Sequence, residues 1–97
     1  SICICMNPLI SIIIPVYNRQ DQLMLSLVSI AKQSYRPIEV IIVDDGSEII
    51  VTKESVQKVL LDISFAFLSQ KNSGAPAARN NGYINLRSIT KPVIKCI

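Results

Sequence analysis

The sequence has 97 residues, of which 49% are apolar, 18% charged and 5% aromatic, and its formal net charge is +3. This length allows one domain with a hydrophobic core but not two. The composition excludes a disordered segment and a coiled coil. Because the charge is modest and spread along the chain, no nucleic-acid partner is predicted. We therefore expect residues 1–97 to form a single domain, with residues 1–8 as an extra N-terminal segment.

Cysteine and histidine usage narrows the chemistry. Cys3 and Cys5 form a lone C-x-C pair, Cys96 stands apart, and the sequence has no histidine. This pattern favours buried, reduced thiols in a cytosolic chain over a zinc site, so no metal site is predicted. No stretch reaches the roughly 18 to 20 apolar residues that span a bilayer. We expect a cytoplasmic protein without a membrane span in this chain.

The first third of the chain predicts a strand followed by a helix. Ile10–Val16 is a continuous β-branched run, which is typical of a strand buried on both faces. Asn18 is the predicted N-cap of the following helix, and Asp21 places negative charge in its first turn. The helix is expected to end around Ser34 and Tyr35, because the proline that follows disfavours helical backbone before it.

The remaining chain continues the alternation of strands and helices. The predicted elements are a strand at Ile38–Val43, a helix capped by Thr52 that carries Val56, Val59, Leu60 and Ile63, a strand at Phe65–Leu68, a helix with Pro76 in its first turn that runs to about Leu86, and a strand at Val93–Ile97. Such alternation predicts right-handed crossovers and a mostly parallel sheet covered by helices. The predicted fold class is α/β, with three layers in the order α/β/α.

Candidate functional residues follow the predicted strands. In open α/β sheets, ligands bind beyond the carboxyl ends of the strands. That rule selects three segments, which contain the candidates Pro15, Val16, Tyr17 and Asn18, then Asp44, Asp45, Gly46 and Ser47, and finally Asn72, Gly74 and Arg79. The sequence contains neither a P-loop nor G-x-G-x-x-G, which disfavours an NTPase or an ordinary dinucleotide dehydrogenase.

Each candidate has both a functional and a structural explanation. Asp44 and Asp45 can accept hydrogen bonds from ribose hydroxyls or a base N–H, but Asp-Gly-Ser is also a favoured turn sequence. Tyr17 can stack on a base or simply pack. Arg79 suits a diphosphate because its planar guanidinium donates two parallel hydrogen bonds, while a surface salt bridge is the alternative. At this stage both explanations stay open.

Together, the three segments resemble a known family. The sequence ISIIIPVYNRQDQLMLSLVSIAKQSYRPIEVIIVDDGS, followed about 25 residues later by NSGAPAARNNGY, is similar to family 2 glycosyltransferases of the GT-A fold, a Rossmann-like fold. The resemblance covers Leu9 to Gly82. Each motif is common by itself, whereas their order, spacing and strand–helix context are specific.

The resemblance implies a role for each segment. It implies that Pro15–Asn18 lines the nucleotide pocket. It also implies that Asp44 lies chiefly at the uracil or its equivalent, and that Asp45 supports the loop and the sugar contacts. The N-x-G-x-x-x-A-R-N motif is matched by Asn72, Gly74, Ala78, Arg79 and Asn80, and in the family its Gly and Arg lie against the nucleotide or its diphosphate. The family also carries a later D-x-D motif that holds Mg²⁺ or Mn²⁺, and the sequence ends at Ile97 before such a motif.

The function implied is transfer of a sugar from a nucleotide-diphosphate sugar, with UDP as the expected nucleotide. The acceptor would be a saccharide or a lipid-linked molecule, as in polysaccharide biosynthesis, with members often acting at the inner membrane face. This chain would supply the donor-nucleotide pocket, and no catalytic base can be named in it. The alternatives are a non-catalytic, truncated nucleotide-binding module and a sugar nucleotidyltransferase. The second usually has a Gly-rich loop after the first strand, where this chain has Tyr17-Asn18-Arg19.

Overall fold

The computed structural model describes residues 9–49 and 51–84, together with the backbone of residues 93–96. Strands and helices alternate through these residues in the predicted order. The elements are β1 (Ile10–Val16), α1 (Gln20–Lys32), β2 (Ile38–Asp44), α2 (Lys53–Leu60), β3 (Ser64–Ser69), α3 (Ala75–Ile84) and β4 (Val93–Cys96). The predictions for residues 1–8, for Leu86, for Ile97 and for the thiol of Cys96 lie outside the described residues.

The four strands form one parallel sheet in the order β3-β2-β1-β4. Strand β1 pairs with β2 from Ile10 opposite Ile38 to Val16 opposite Asp44, and it pairs with β4 on its other side. Every residue of β2 is buried. A strand covered on both faces needs apolar side chains in both directions, and the unbroken Val and Ile runs supply them. The predicted α/β class and parallel sheet are confirmed.

Helices cover both faces of the sheet. On one face, alternate strand residues such as Ile12, Val40 and Ile42 pack with the buried side chains of α1 and α2. On the other face, Ile13, Ile41 and Val43 form a second cluster with Ala78 of α3. Successive side chains of a strand point to opposite faces, so two clusters arise from the same strands. The predicted α/β/α layering is therefore present.

The predicted N-cap of α1 is wrong. Asn18 has a positive φ of 52°, and the helix begins at Gln20 after Arg19, which makes no side-chain cap. The Asn18 amide oxygen instead accepts a hydrogen bond from the backbone N–H of Glu48, so it is not directed at the helix. The prediction for α2 is confirmed, because the Thr52 hydroxyl accepts a hydrogen bond from the backbone N–H of Ser55.

The helix ends also differ from the expected positions. Helix α1 ends at Lys32, since Gln33 is already extended with ψ of 140°. Helix α2 ends at Leu60, before the predicted Ile63, because Leu61 adopts a positive φ of 52°. Ile63 still packs in the core from the turn that follows. Among the described helices none is long and apolar enough to cross a membrane.

Candidate functional site

The loops after β1, β2 and β3 meet at one edge of the sheet because parallel strands all end there. The chain moves from β1 to β2 to β3 in one direction, and α3 then carries it back to β4 on the far side of β1. The order of strands therefore reverses beside β1. This reversal is where ligands bind in open α/β sheets.

Asn18 ties the loop after β1 to the loop after β2. Its backbone N–H donates to the Ser47 hydroxyl at 2.8 Å, and its side-chain oxygen accepts from the Glu48 N–H at 2.9 Å. The Gln20 side-chain amide adds a hydrogen bond to the Ile49 carbonyl oxygen. Asn tolerates the left-handed conformation that this two-sided contact requires. Asn18 and Ser47 thus fix the spacing of the two loops.

The two adjacent carboxylates of the site have different partners. Both are buried, with Asp44 at 3% and Asp45 at 4% exposure. One oxygen of Asp44 accepts a hydrogen bond from the backbone N–H of Ser47 at 3.0 Å, which closes the turn around Gly46. Asp45 is bound instead by the loop that leads into α3. Neighbouring residues at a strand end point to opposite faces, which explains the separation.

Asp45 accepts three hydrogen bonds from the loop after β3. The Gln70 side-chain amide and the Ser73 backbone N–H both donate to its Oδ1 at 2.8 Å. The Gly74 backbone N–H donates to its Oδ2 at 2.9 Å. These bonds, led by that from Gln70 and opposed by desolvation, hold the pKa of Asp45 below its ordinary value of 3.8. The carboxylate is therefore ionised at neutral pH.

Gln70 links this carboxylate to α3. While its amide nitrogen donates to Asp45, its amide oxygen accepts from the Asn81 side chain at 2.9 Å. The Gln70 backbone N–H also donates to the Asp44 carbonyl oxygen at 2.9 Å. Sequence reasoning missed Gln70, and it gave Ser73 and Asn81 no individual role although both lie in the NSGAPAARNNGY motif. The only available signal was that Gln70 directly follows a strand, at the edge where binding residues gather.

Two glycines allow the loops to approach each other. Gly46 has φ of +86°, and a Cβ added there would lie 3.0 Å from the backbone nitrogen of Asn72. Gly74 has φ of +94° and donates its N–H to Asp45. Both conformations are costly for residues with a Cβ. The glycines that the motifs contain thus have backbone roles.

A small cleft lies between the end of β1 and the start of α3. It has a volume of about 80 Å³ and is lined by Pro15, Val16, Tyr17, Asp45 and Ala75. Tyr17 is 50% exposed, so its ring is accessible from solvent. A wider cleft of about 180 Å³ lies on the α1 side of the same segment and shares Pro15, Val16 and Tyr17 with the first. We call the smaller one, which contains the carboxylate, the Asp45 cleft.

The structure places the predicted site residues at one edge, but only some of them line the Asp45 cleft. Asn18, Asp44, Gly46 and Ser47 shape and brace the loops. Arg79 is exposed on α3, one turn beyond Ala75. Its guanidinium forms no ion pair within residues 9–49 and 51–84, so the alternative of a surface salt bridge finds no support in that part of the chain.

The described residues do not provide a metal centre. No three acidic or cysteine side chains come together within residues 9–49 and 51–84. The carboxylate of Asp45 is occupied by three N–H donors, and that of Asp44 by one. A divalent cation needs several oxygen ligands that converge, whereas these two carboxylates are directed to different loops.

Comparison with known proteins agrees with the motifs. The family model described as glycosyl transferase family 2 matches residues 11–87. Glycosyltransferase GlyA of Streptococcus pneumoniae is 36% identical over 77 residues, which are 79% of this chain and 11% of that protein. An uncharacterised glycosyltransferase of Haemophilus influenzae is 42% identical over 80 residues, or 77% of this chain and 30% of that protein.

A solved structure is also similar. The crystal structure of Staphylococcus aureus TarS 1-349 superposes with a TM-score of 0.69 at 30% identity, covering 81% of this chain and 24% of that one. The chain therefore spans less than a third of the length of these relatives. The matched segment contains all three loops of the site. On these grounds the chain belongs to glycosyl transferase family 2.

Proposed function

We propose that this chain forms the donor-nucleotide pocket of an enzyme that transfers a sugar from a nucleoside-diphosphate sugar, with UDP as the nucleotide. The observation that carries the proposal is the Asp45 cleft, where an exposed aromatic ring, an ionised carboxylate and the start of α3 lie together. Each of these groups suits one part of a nucleoside diphosphate.

The base is assigned to Tyr17 and Asp45. The accessible ring of Tyr17, beside the apolar side chains of Pro15 and Val16, offers a stacking surface for a planar base. Asp45, as an acceptor only, suits an N–H of that base. We prefer Asp45 to Asp44 for this contact because Asp45 lines the cleft, whereas the Asp44 carboxylate closes its own turn.

The diphosphate is assigned to the start of α3. The first turn of a helix leaves backbone N–H groups without partners inside the helix, and the helix dipole favours negative charge there. The Gly74 N–H already donates to Asp45 and Pro76 has no N–H, so the N–H groups of Ala75 and Ala77 are the first-turn donors assigned to the diphosphate. Ala75, the first residue of α3, lines the cleft. Arg79 is one turn further along and is free of any described acidic partner, so its guanidinium is available for the phosphates. We assign the binding of a saccharide or lipid-linked acceptor to the rest of the protein.

Titration of the chain with UDP tests the proposal. We expect Asp45→Asn to weaken UDP binding about tenfold. The Asn side chain has no negative charge, and its NH₂ group can face the N–H of the base, where no hydrogen bond can form. Asp62→Asn is the matched control, since Asp62 is exposed just before β3 and so lies at the opposite edge of the sheet. The proposal is wrong if UDP does not bind, or if both variants bind it as well as the unchanged protein does.

A further inference from the structure

The hydrogen bonds of Asp45 leave it with a restricted capacity for a ligand. A carboxylate has about two acceptor positions on each oxygen. Both positions of Oδ1 are used, by the Gln70 amide and the Ser73 N–H, each at 2.8 Å. Oδ2 receives one described bond, from the Gly74 N–H at 2.9 Å. Among the described contacts, one acceptor position therefore remains, and it is on Oδ2.

The orientation of the Gln70 amide is set by Asp45 and supported by Asn81. An unconstrained Gln side chain can present either its oxygen or its nitrogen to a neighbour. The ionised carboxylate of Asp45 only accepts, so the Gln70 nitrogen is the group that faces it. The Asn81 side-chain nitrogen donates to the Gln70 oxygen at 2.9 Å and so supports the same orientation. The carboxylate is consequently surrounded by N–H donors on its Oδ1 side.

We infer that Gln70, supported by Asn81, determines which nucleobase the Asp45 cleft accepts, by limiting Asp45 to one hydrogen bond from the ligand. The inference rests on the proposed function. Uracil presents a single N–H between two carbonyl oxygens, which suits one free acceptor flanked by donors. Guanine presents two adjacent donors, its ring N–H and its amino group, and pairing both needs two acceptors. The cleft therefore favours UDP over GDP.

This role differs from simple support of the loop. The loop remains attached without the Gln70 side chain, because the Gln70 backbone N–H still donates to the Asp44 carbonyl oxygen. The Ser73 and Gly74 backbone N–H groups also still donate to Asp45. Removal of the side-chain amide therefore opens one acceptor position on Oδ1 while the fold of the loop is retained.

The test compares UDP and GDP binding by calorimetry in the unchanged chain, Gln70→Leu and Asn81→Leu. We expect the unchanged chain to prefer UDP. We expect Gln70→Leu to reduce the ratio of the GDP to the UDP dissociation constant about tenfold, since a guanine N–H donor left without an acceptor weakens binding by about that factor. Asn81→Leu should reduce the ratio in the same direction. Gln57→Leu, the same change on the exposed side of α2, should leave the ratio unchanged.

The ratio of the two dissociation constants separates a change in selectivity from a loosening of the site, because a looser loop weakens the binding of both nucleotides to the same extent. An unchanged ratio in both Gln70→Leu and Asn81→Leu overturns the inference and leaves the proposed function intact. Equal binding of UDP and GDP by the unchanged chain also overturns the inference and leaves the proposed function intact. If neither nucleotide binds the unchanged chain, the proposed function fails and the inference fails with it.

Discussion

At the residue scale, the two carboxylates after β2 owe their different environments to strand geometry. Asp44 ends the strand, and Asp45 follows it on the side where α3 packs. One closes the turn at Ser47, while the other receives the Gln70 side chain and two backbone N–H groups. Identical side chains one position apart can therefore have separate roles in a single motif.

The pKa of Asp45 leads to a prediction about stability and pH. Its folded-state pKa lies below the ordinary value of 3.8, so the folded protein binds fewer protons than the unfolded chain as pH falls below that value. The stabilisation from the ionised carboxylate is complete above 3.8 and is lost as pH falls through the folded-state pKa.

Urea unfolding measures this effect directly. The difference in the free energy of unfolding between the unchanged chain and Asp45→Asn should stay constant from pH 5 to pH 7 and shrink at about pH 3. The ¹³C shift of the Asp45 carboxyl carbon should titrate below 3.8. A midpoint above that value, or a difference in free energy that grows in acid, would contradict the account.

The residues of the motifs could be predicted, but their exact partners could not. Tyr17, Asp45 and Gly74 were selected because each follows a strand in a recognisable motif. Gln70 was missed, and Asn81 received no role although it lies in a selected motif, since each is an ordinary polar residue until the fold brings it to its partner. The Gln70–Asp45 bond joins residues 25 apart in sequence, and no local pattern encodes such a contact.

At the element scale, helix α3 packs against the sheet without an intervening side chain at Gly82. A Cβ added there would come within 2.6 Å of the Ile13 Cγ2 atom and 3.2 Å of the Val43 Cγ2 atom. Glycine inside a helix ordinarily weakens it, because its helix propensity is low. Its absent side chain instead allows contact between α3 and the central strands, which places the start of α3 beside the Asp45 cleft.

Gly82→Ala tests that packing. We expect it to lower the free energy of unfolding by roughly 1 to 3 kcal/mol, as overpacked cores do, although alanine raises helix propensity by about 1 kcal/mol. Asn80→Ala is the matched control, since Asn80 is exposed on the same helix and should leave stability unchanged or slightly higher. Equal or greater stability of Gly82→Ala in urea unfolding would show that the helix has room to move.

The helix boundaries show where local signals fail. Thr52 is a predicted cap and acts as one, because both described partners of its hydroxyl, the N–H and the hydroxyl of Ser55, lie in the first turn of α2. Asn18 has an equally good capping side chain, yet its amide oxygen accepts from Glu48, 30 residues away in sequence. A long-range partner thus overrides a local preference.

At the scale of the whole molecule, the order and class of the elements follow from hydrophobic pattern alone. Mostly apolar strands such as Ile10–Val16 and Ile38–Asp44 require cover on both faces, and the helical stripes between them provide it. The parallel pairing and the reversal of strand order beside β1 then bring the three loops to one edge. The hydrophobic pattern does not specify which hydrogen bonds join those loops.

The central claim is that these loops together bind a nucleotide at the carboxyl edge of the sheet. Mapping the backbone amide shifts of the ¹⁵N-labelled chain during addition of UDP tests it most directly. We predict shift changes in residues 16–18, 45–47, 73–75 and 77–79, with none in residues 62–64 at the opposite edge. Changes confined to the opposite edge, or no changes at saturating UDP, would contradict the assignment.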